Sequence, residues 1–522
     1  MQHLVHGQHR EKQLRSDERQ QRAAKAAAQT VETKGPASIQ PSSIVLDISH
    51  GLTAKTVDDA YSFHLGGRVH VDGGASSAPE RGLGSTANVT QARLQVEGKI
   101  ASIFDYRFQY DFAGSNTSTV GAAGGIRDAY VAVRHPALQL PIGSAPLAIQ
   151  VGNFWEPMGL ERTTSKNYTD FVERSLMSDV FGSNRHIGVA LLAADSNWSA
   201  KVGVFSTSVE DKTLTPSVDV GVPSWVSSKA GWVATGGRQY FDVAGRVTYQ
   251  PILERDKLFH LGLSGRYHQP NDATGANDDR VMLLGANTAA ESNLLKENLL
   301  GTPDLSCGSV ALAGNPAVAG KCVRDVVTFG AEMAAAFGPF SVQAEYMRAH
   351  YDRDPGAILT ANAAGLYAPG GKSLDFDGYY VYGVWTLTGE SRAAAFQTNN
   401  LSPASFRQAP IDKPLSKGGI GAWDLAVRWS AVNLNNGPYA GSTFANLLAA
   451  SPNAASRSVI ANSSVLGGQE QDVTVGLNWR PEVGVRLMAN YTRVTRLVAP
   501  WDRAYLNGAH PSTFLLRTQV DW

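Results

Sequence analysis

Apolar and polar residues alternate in a long series of short stretches along this chain. In residues 104–112, FDYRFQYDF, every second side chain is apolar. Successive side chains of a β-strand point to opposite faces, so this period predicts a strand with one apolar and one polar face. The pattern recurs after residue 60, and the sixteen stretches are 61–71, 91–97, 103–112, 126–134, 146–153, 185–194, 197–207, 239–250, 258–268, 325–336, 339–349, 378–388, 420–432, 470–480, 484–494 and 512–522.

The lengths of these stretches and of the links between them favour a closed barrel in a membrane. Most stretches approach the roughly 9 to 11 residues that a tilted transmembrane strand needs. An even number lets the last strand pair with the first and leaves no free edge. Brief turns alternate with long links, as in outer-membrane barrels; the long links are 72–90, 113–125, 154–184, 208–238, 269–324, 350–377, 433–469 and 495–511. We therefore predict an all-β fold, a sixteen-stranded antiparallel transmembrane β-barrel over residues 61–522, in the bacterial outer membrane.

One link breaks this alternation. Residues 389–419 fall on the short-turn side but number 31. The pattern leaves open whether this link folds into the lumen or projects into the periplasm. A soluble β-sandwich would also show alternation, but it accounts poorly for the uniform strand length and for the asymmetry of the links.

Residues 1–60 precede the regular pattern. Residues 1–34 are rich in Gln, Arg and Ala and lack the continuous apolar core of a secretory signal. They predict an extension that is either disordered or a short exposed helix, and Gly35 and Pro36 end it.

Composition narrows the function. The 46 basic and 46 acidic residues balance, which argues against a nucleic-acid partner. No apolar run is long enough for a transmembrane helix. Cys307 and Cys322 are too few for a disulfide scaffold, and the sequence leaves open whether they form one loop disulfide or stay as thiols.

Motifs for catalysis are missing from the sequence. It contains no Gly-x-Ser-x-Gly, His-Glu-x-x-His, P-loop or dinucleotide fingerprint. His64 with His70, and His260 with His268, are spaced too far apart to share a metal. We therefore predict a non-enzymatic protein with no metal and no cofactor. Two alternatives stay open, a barrel-embedded hydrolase and a plugged adhesive or structural barrel.

A family resemblance sharpens this picture. Residues 147–176, LAIQVGNFWEPMGLERTTSKNYTDFVERSL, resemble the signature region of the phosphate-selective porin O and P family. Residues 63–74, FHLGGRVHVDGG, and 378–392, GYYVYGVWTLTGESR, resemble it as well. The resemblance implies a homotrimer in outer-membrane lipid, with one pore per barrel for small anions such as phosphate. It also implies that the long loop after the fifth strand folds inward and narrows the pore.

Strand parity places many charged side chains on the inward face of the barrel. A charged group costs little free energy there, because water in the lumen solvates it. The inward basic residues are Arg68, Arg93, Arg107, Arg134, Lys201, Arg246, Arg266, Arg428, Arg480, Arg486 and Arg517. The inward acidic residues are Glu97, Asp105, Asp111, Asp128, Asp242, Glu332, Glu345, Asp424, Asp472 and Asp521. The two sets nearly balance, so many of these residues are expected to pair across the wall.

The predicted constriction centres on the loop 154–184. In the resembling family a lysine after Gly-Leu-Glu contributes to the central anion site; here Arg162 follows Gly-Leu-Glu, and Asp128 occupies the place of an acidic residue that works with it. The other predicted members of the constriction are Lys166, Arg93 and Arg107.

Two departures from the family pattern weaken the expected phosphate selectivity. Thr90 and Gln91 replace an Arg-Arg pair, and the link 269–324 lacks an arginine ladder. We therefore predict passive diffusion of small anions with weakened selectivity for phosphate.

Overall fold

The computed structural model describes residues 44–78, 82–113, 125–140, 145–206, 241–270, 298–302, 305, 323–355, 371–398, 401–437 and 464–522. Residues 1–43 and both cysteines lie outside these ranges. The expectations for the N-terminal extension and for a bond between Cys307 and Cys322 therefore fall on parts of the chain that are not described.

The described residues contain twenty strands. In chain order they are β1 (Ile44–Asp47), β2 (Leu52–Thr56), β3 (Ser62–Ala78), β4 (Gly82–Ile100), β5 (Phe104–Asp111), β6 (Gly125–Val133), β7 (Leu147–Trp155), β8 (Arg185–Ala194), β9 (Trp198–Phe205), β10 (Phe241–Leu253), β11 (Lys257–Gln269), β12 (Val323–Phe337), β13 (Phe340–Arg353), β14 (Ser373–Thr386), β15 (Phe396–Gln397), β16 (Ser405–Phe406), β17 (Ala422–Asn436), β18 (Val465–Glu482), β19 (Val485–Val498) and β20 (Ser512–Asp521).

Sixteen of these strands, β3–β14 and β17–β20, close into one antiparallel barrel. The closure pairs β20 with β3, from Ser512 opposite Ser77 to Asp521 opposite Arg68. Each of the sixteen predicted stretches overlaps one of these strands, so the predicted fold class is confirmed. We call the end where β3 meets β4 the long-link end and the opposite end, where β4 meets β5, the short-turn end.

The expected link 72–90 is largely strand, because β3 and β4 remain paired from Val71 opposite Val89 to Ala78 opposite Gly82. The backbone of this small-residue stretch continues its ladder past the point where the apolar alternation stops. Strand β2 extends the sheet at the short-turn end, pairing with β3 from Leu52 opposite Leu65 to Lys55 opposite Ser62. Strand β1 pairs in turn with β2. The sequence pattern predicts neither short strand.

The alternation has the orientation that a membrane barrel requires. Along β10, Asp242 and Arg246 are buried in the lumen, whereas Val243 and Val247 are exposed on the outer surface. Apolar side chains on the outer face match the lipid, and polar ones on the inner face match water. None of the helices within the described ranges is long and apolar enough to cross a membrane.

Two chain segments fill part of the lumen. The inner loop, residues 156–184, enters from the long-link end and contains helices α1 (Leu160–Thr163) and α2 (Leu176–Phe181). The inner segment, residues 389–419, enters from the short-turn end. It contains the β15–β16 hairpin and two 3₁₀ turns, η1 (Arg392–Ala395) and η2 (Leu415–Lys417). A third 3₁₀ element, η3 (Trp501–Leu506), follows β19.

An apolar cluster fixes the inner loop to one side of the barrel. Helix α2 contributes Leu176, Met177 and Phe181, which are almost completely buried. They belong to a cluster with inward side chains of β12–β14 and β17–β19; these are Val323, Val326, Met347, Ala349, Tyr351, Leu374, Phe376, Tyr380, Tyr382, Val384, Ala426, Val432, Leu434, Val465, Val494 and Leu497. We call this surface the apolar wall. The loop therefore rests on a packed core of the kind that soluble domains have.

Candidate pore constriction

The inner loop begins with a tight contact to the wall strand β13. Glu345 accepts hydrogen bonds from the backbone N–H groups of Leu160 at 2.9 Å and Glu161 at 2.6 Å. Gly159 precedes them with a φ of 69°, and a Cβ there would lie 2.6 Å from the Glu345 carboxylate. Only glycine adopts this conformation so close to another group without strain. The Gly-Leu-Glu motif thus fixes where the loop enters the lumen.

Glu161 then joins the two short helices to the wall. Its carboxylate accepts hydrogen bonds from the Ser175 hydroxyl at 2.8 Å and the Ser175 backbone N–H at 3.1 Å. Arg428 of β17 lies 3.3 Å from the same carboxylate, and its guanidinium stacks 4.3 Å from the Phe171 ring centroid. All of these groups are buried. Arg428 is therefore inward, as predicted, but it acts on the loop and not on free solution.

Arg162 contacts the far end of its own loop. Its guanidinium donates to the Gly182 carbonyl at 3.0 Å and to Asn184 Oδ1 at 3.3 Å. The Asp179 carboxylate is 3.8 Å away. Burial raises the pKa of Asp179, and the neighbouring Arg162 and Lys166 oppose that rise. Carbonyls and a carboxylate of the loop therefore surround the positive charge of Arg162.

Arg162 and Asp128 are brought to the same side of the lumen, each with its own partner. Asp128 accepts a hydrogen bond from Arg185 Nε at 2.6 Å. The guanidiniums of Arg162 and Arg185 both lie over the Trp155 ring, at 5.3 and 4.4 Å from its centroid. Trp155 therefore offers both arginines a shared cation–π surface. The sequence singled out neither Trp155 nor Arg185.

The predicted arginines of the adjacent wall form ion pairs. Arg93 Nε lies 2.8 Å from Asp111, and Arg107 Nε lies 3.1 Å from Glu97 and 4.0 Å from Asp128. Across-strand pairs of this kind neutralise most of the charge on β4–β6.

Two further ion pairs that involve predicted residues have the same character. Asp105 lies 2.8 Å from Arg134 Nε near the short-turn end. Lys166 lies 2.5 Å from Glu173 within the inner loop. Both basic groups therefore carry charge that a neighbouring carboxylate already balances.

The tip of the inner loop meets a different environment. Arg68 Nη1 donates to Asn167 Oδ1 at 2.7 Å and to Ser165 Oγ at 3.0 Å. Arg486 Nη1 donates to the Asn167 carbonyl at 3.3 Å. Both arginines are thus bound to neutral oxygens, and neither forms an ion pair with a carboxylate of the described residues.

The inner segment folds into the lumen, which answers the question that the sequence left open. Arg392 forms an ion pair with Asp170 of the inner loop at 2.8 Å and lies 3.6 Å above the Phe406 ring. The Phe406 backbone N–H donates to Thr164 Oγ1 at 3.4 Å. The two inner segments therefore contact each other inside the barrel.

Wall cations secure the inner segment through its backbone. Lys201 donates to the Leu401 carbonyl at 2.9 Å. Arg246 donates to the Pro403 and Ala404 carbonyls at 2.8 and 2.9 Å, and it also pairs with Glu332. Arg246 is inward as predicted, and the hairpin covers it.

A buried cluster at the start of the inner loop and on β8 and β10 brings together groups that could bind a metal. Ligand atoms of Glu156, His186 and Asp242 lie within 4.8 Å of one another. However, Arg266 lies 3.0 Å from Glu156 and 2.6 Å from Asp242. The guanidinium already supplies the positive charge that a cation would bring. Burial raises the pKa of Glu156, while Arg266 and His186 oppose the rise.

Among the described residues, three lumen arginines around the loop tip have no carboxylate within ion-pair distance: Arg68, Arg407 and Arg486. We call them the tip cluster. Arg407 and Arg486 line the same cavity as Asn167 and Tyr168. Sequence parity found Arg68 and Arg486 but could not find Arg407, because Arg407 lies in the inner segment and not on a strand. The anomalous length of that link was the only signal for it.

A sixteen-stranded barrel with a lipid-matched outer face and an inward-folded loop defines the protein as an outer-membrane porin. The chain belongs to the phosphate-selective porin O and P family, whose model matches residues 63–522.

Individual relatives agree with this assignment. The chain is 24% identical to Porin O of Pseudomonas aeruginosa over 473 residues, which cover 90% of each chain. It is also 24% identical to an uncharacterised protein of Caulobacter vibrioides, over 89% of this chain and 75% of that one.

Solved structures with similar folds include OprB of Pseudomonas putida, with a TM-score of 0.47 and 10% identity over 89% of this chain and 95% of that one. OmpF of Salmonella typhi in complex with daunomycin aligns with a TM-score of 0.44 and 10% identity, over 90% of this chain and all of that one.

Proposed function

We propose that this porin lets small anions diffuse passively across the outer membrane and favours them over cations. The observation that carries the proposal is the tip cluster, Arg68, Arg407 and Arg486, whose positive charges have no carboxylate partner in the described part of the chain. In a narrow, partly dehydrated passage an uncompensated charge dominates the local potential, because fewer water molecules screen it. Paired residues elsewhere on the wall contribute little to that potential.

The chemistry of the tip cluster suits oxyanions. A guanidinium offers several N–H donors in a planar fork that matches carboxylate and phosphate oxygens. Passage requires that an anion enter easily and also leave, so binding has to stay weak. No energy source or cofactor takes part in this mechanism. The predicted constriction residues Arg162, Asp128, Lys166, Arg93 and Arg107 form, in this proposal, the frame that holds the passage open.

We propose phosphate as one of the permeating anions, without high selectivity for it. Membership of a phosphate-selective family supports phosphate as a solute. The neutral pair Thr90 and Gln91 argues against strong selectivity for phosphate. The Thr90 hydroxyl donates a hydrogen bond to Asp72 at 2.6 Å and adds no positive charge. Phosphate is therefore expected to block the chloride current only at millimolar concentrations.

We also propose that three barrels associate in outer-membrane lipid. The family assignment supports a homotrimer, and one solved neighbour, OmpT of Vibrio cholerae, is described as a trimer form. Cross-linking in mild detergent followed by mass measurement tests this, and a mass of a single barrel would contradict it.

A plugged barrel without conductance is the second candidate function. The two inner segments and the apolar wall favour it, since they occupy lumen that a wide pore would leave open. Planar-bilayer recording separates the candidates, because a plugged barrel gives no single-channel steps.

The reversal potential in a KCl gradient tests the main proposal. Wild type is expected to be chloride-selective. Arg68→Gln is expected to lower the chloride-to-potassium permeability ratio roughly fivefold, as the loss of about 1 kcal/mol of attraction implies. Arg134→Gln is the matched control, because its charge is paired with Asp105. Cation selectivity in wild type, or equal effects of the two variants, would contradict the proposal.

A further inference from the structure

We propose that a cavity between the inner loop and the inner segment is a binding site for small organic carboxylates with an apolar body. This inference rests on the proposed anion pathway and names a solute class for it. The cavity lies where the tip of the inner loop faces the inner segment and the strands β14 and β17–β19.

The charged groups of the cavity leave a positive excess. Its lining contains four arginines, Arg392, Arg407, Arg480 and Arg486, and three carboxylates, Asp170, Glu390 and Asp424, a net charge of +1. A bound monoanion would neutralise the cavity.

The existing ion pairs show which arginines carry this excess. Arg392 pairs with Asp170 at 2.8 Å. Arg480 contacts both oxygens of Asp424, each at 3.1 Å. Glu390 accepts hydrogen bonds from neutral groups, among them the Asp412 backbone N–H at 3.2 Å.

The two remaining arginines, Arg407 and Arg486, each have a side-chain N–H donor without an acceptor. The Nε of each is buried and has no hydrogen-bond acceptor in the structure. Arg486 makes one hydrogen bond, to the Asn167 carbonyl. A buried N–H without an acceptor is unfavourable, and more so when it belongs to a charged group. An oxyanion in the cavity would supply acceptors to both guanidiniums.

The apolar part of the lining distinguishes the solute from inorganic phosphate. Val384, Phe406 and Ala409 line the cavity, and Val384 and Phe406 are buried. The Tyr168 ring adds an aromatic surface. Phosphate is polar on every side and gains nothing from these groups, whereas an aromatic or branched acid buries its body against them. A flat ring of benzoate size combines one carboxylate with such a body.

The experiment measures block of the wild-type chloride current in planar bilayers by three probes. Benzoate carries both the charge and the ring, benzamide carries the ring alone, and inorganic phosphate carries charge alone. Benzoate is expected to half-block at a concentration at least about tenfold below those of the other two, because only benzoate uses both parts of the cavity.

Two variants locate the effect. Arg407→Gln is expected to raise the half-blocking concentration of benzoate about tenfold while single-channel steps persist. Arg134→Gln removes a charge that is paired near the short-turn end and is expected to leave the benzoate titration unchanged. The wild-type comparison needs no variant, so a folding defect in Arg407→Gln would not prevent the test.

The outcomes separate this inference from the proposed function. A chloride-selective channel that benzoate blocks no better than phosphate would overturn the carboxylate site and leave the anion pathway intact. Equal benzoate titrations of Arg407→Gln and Arg134→Gln would also overturn the carboxylate site and leave the anion pathway intact. A channel without anion preference would overturn the proposed function and the site together.

Discussion

The two sides of the lumen follow the same alternation but bury different chemistry. On β3–β6 the inward side chains include Arg68, Arg93 and Asp111, joined by ion pairs and hydrogen bonds. On the long-link half of β12–β14 the inward side chains include Tyr351 and Phe376, which pack in an apolar cluster. We call the inward face of β3–β6 the polar wall; it carries charged side chains, whereas the apolar wall seats the inner loop.

This contrast shows that the inward face of a porin strand need not contact water. Burying an apolar side chain contributes roughly 1.5–3 kcal/mol, so the three large side chains of α2 give the loop a firm seat. Ion pairs add less net free energy, because removing both charged groups from water offsets much of their attraction. The loop is therefore held by packing on one side and only adjusted by polar contacts on the other.

The largest effect on single-channel conductance is expected from disrupting the packing of the inner loop on the apolar wall. Met177 is completely buried there. Met177→Asp places an unpaired carboxylate in an apolar cluster, at a cost of at least about 3 kcal/mol. The loop should leave the wall, and single-channel conductance should rise severalfold. Met177→Leu is the control, and unchanged conductance in Met177→Asp would show that packing on this wall does not hold the loop.

A smaller effect on conductance, flickering and not a stable rise, is expected from breaking an ion pair that joins the inner loop to β17. Arg428→Met leaves the buried Glu161 carboxylate without its charged partner, which costs about 3–5 kcal/mol. We expect faster proteolysis of the inner loop and flickering conductance. Adding Glu161→Gln should restore most of the loss, because it removes the uncompensated charge. A double variant no better than Arg428→Met would mean that the pair is not energetically coupled.

On the polar side of the lumen, an arginine whose charge nearby groups compensate should affect ion selectivity less than an arginine without a carboxylate partner among the described residues. Arg162→Gln is expected to lower the chloride-to-potassium permeability ratio by about twofold, less than half the effect of Arg68→Gln, because carbonyls and Asp179 surround Arg162. Reversal potentials of the two variants in one KCl gradient give the comparison. A larger effect of Arg162→Gln than of Arg68→Gln would contradict this expectation and place the centre of the constriction at Arg162.

The smallest effect is expected for Arg134→Gln near the short-turn end. Its side chain is 39% exposed and pairs with Asp105. Such pairs contribute about 0–1 kcal/mol, and salt screens them within a Debye length of about 8 Å. Heat-modifiable migration, conductance and selectivity should all equal those of wild type. A change in selectivity would mean that rim charges steer ions over longer distances than the polar wall suggests.

The sequence by itself determined the barrel. The period of two fixed every strand of the wall, because a strand in lipid has to present apolar groups outward along its whole length. The same parity put Arg68, Arg246, Arg266 and Arg428 inside the lumen, where the structure has them. The Gly-Leu-Glu motif lies in the loop 154–184, on which the sequence centred the predicted constriction.

Only the tertiary structure decided what each inward residue does. Parity gives the direction of a side chain but not its partner, and the partners here come from distant elements. Arg428 reaches Glu161 across the lumen, and Arg68 reaches Asn167. The destination of residues 389–419 was undetermined as well, since a segment without a periodic pattern carries no signal of the surface on which it will pack. The free charges of the tip cluster and the cavity beside them exist only because two such segments meet inside the barrel.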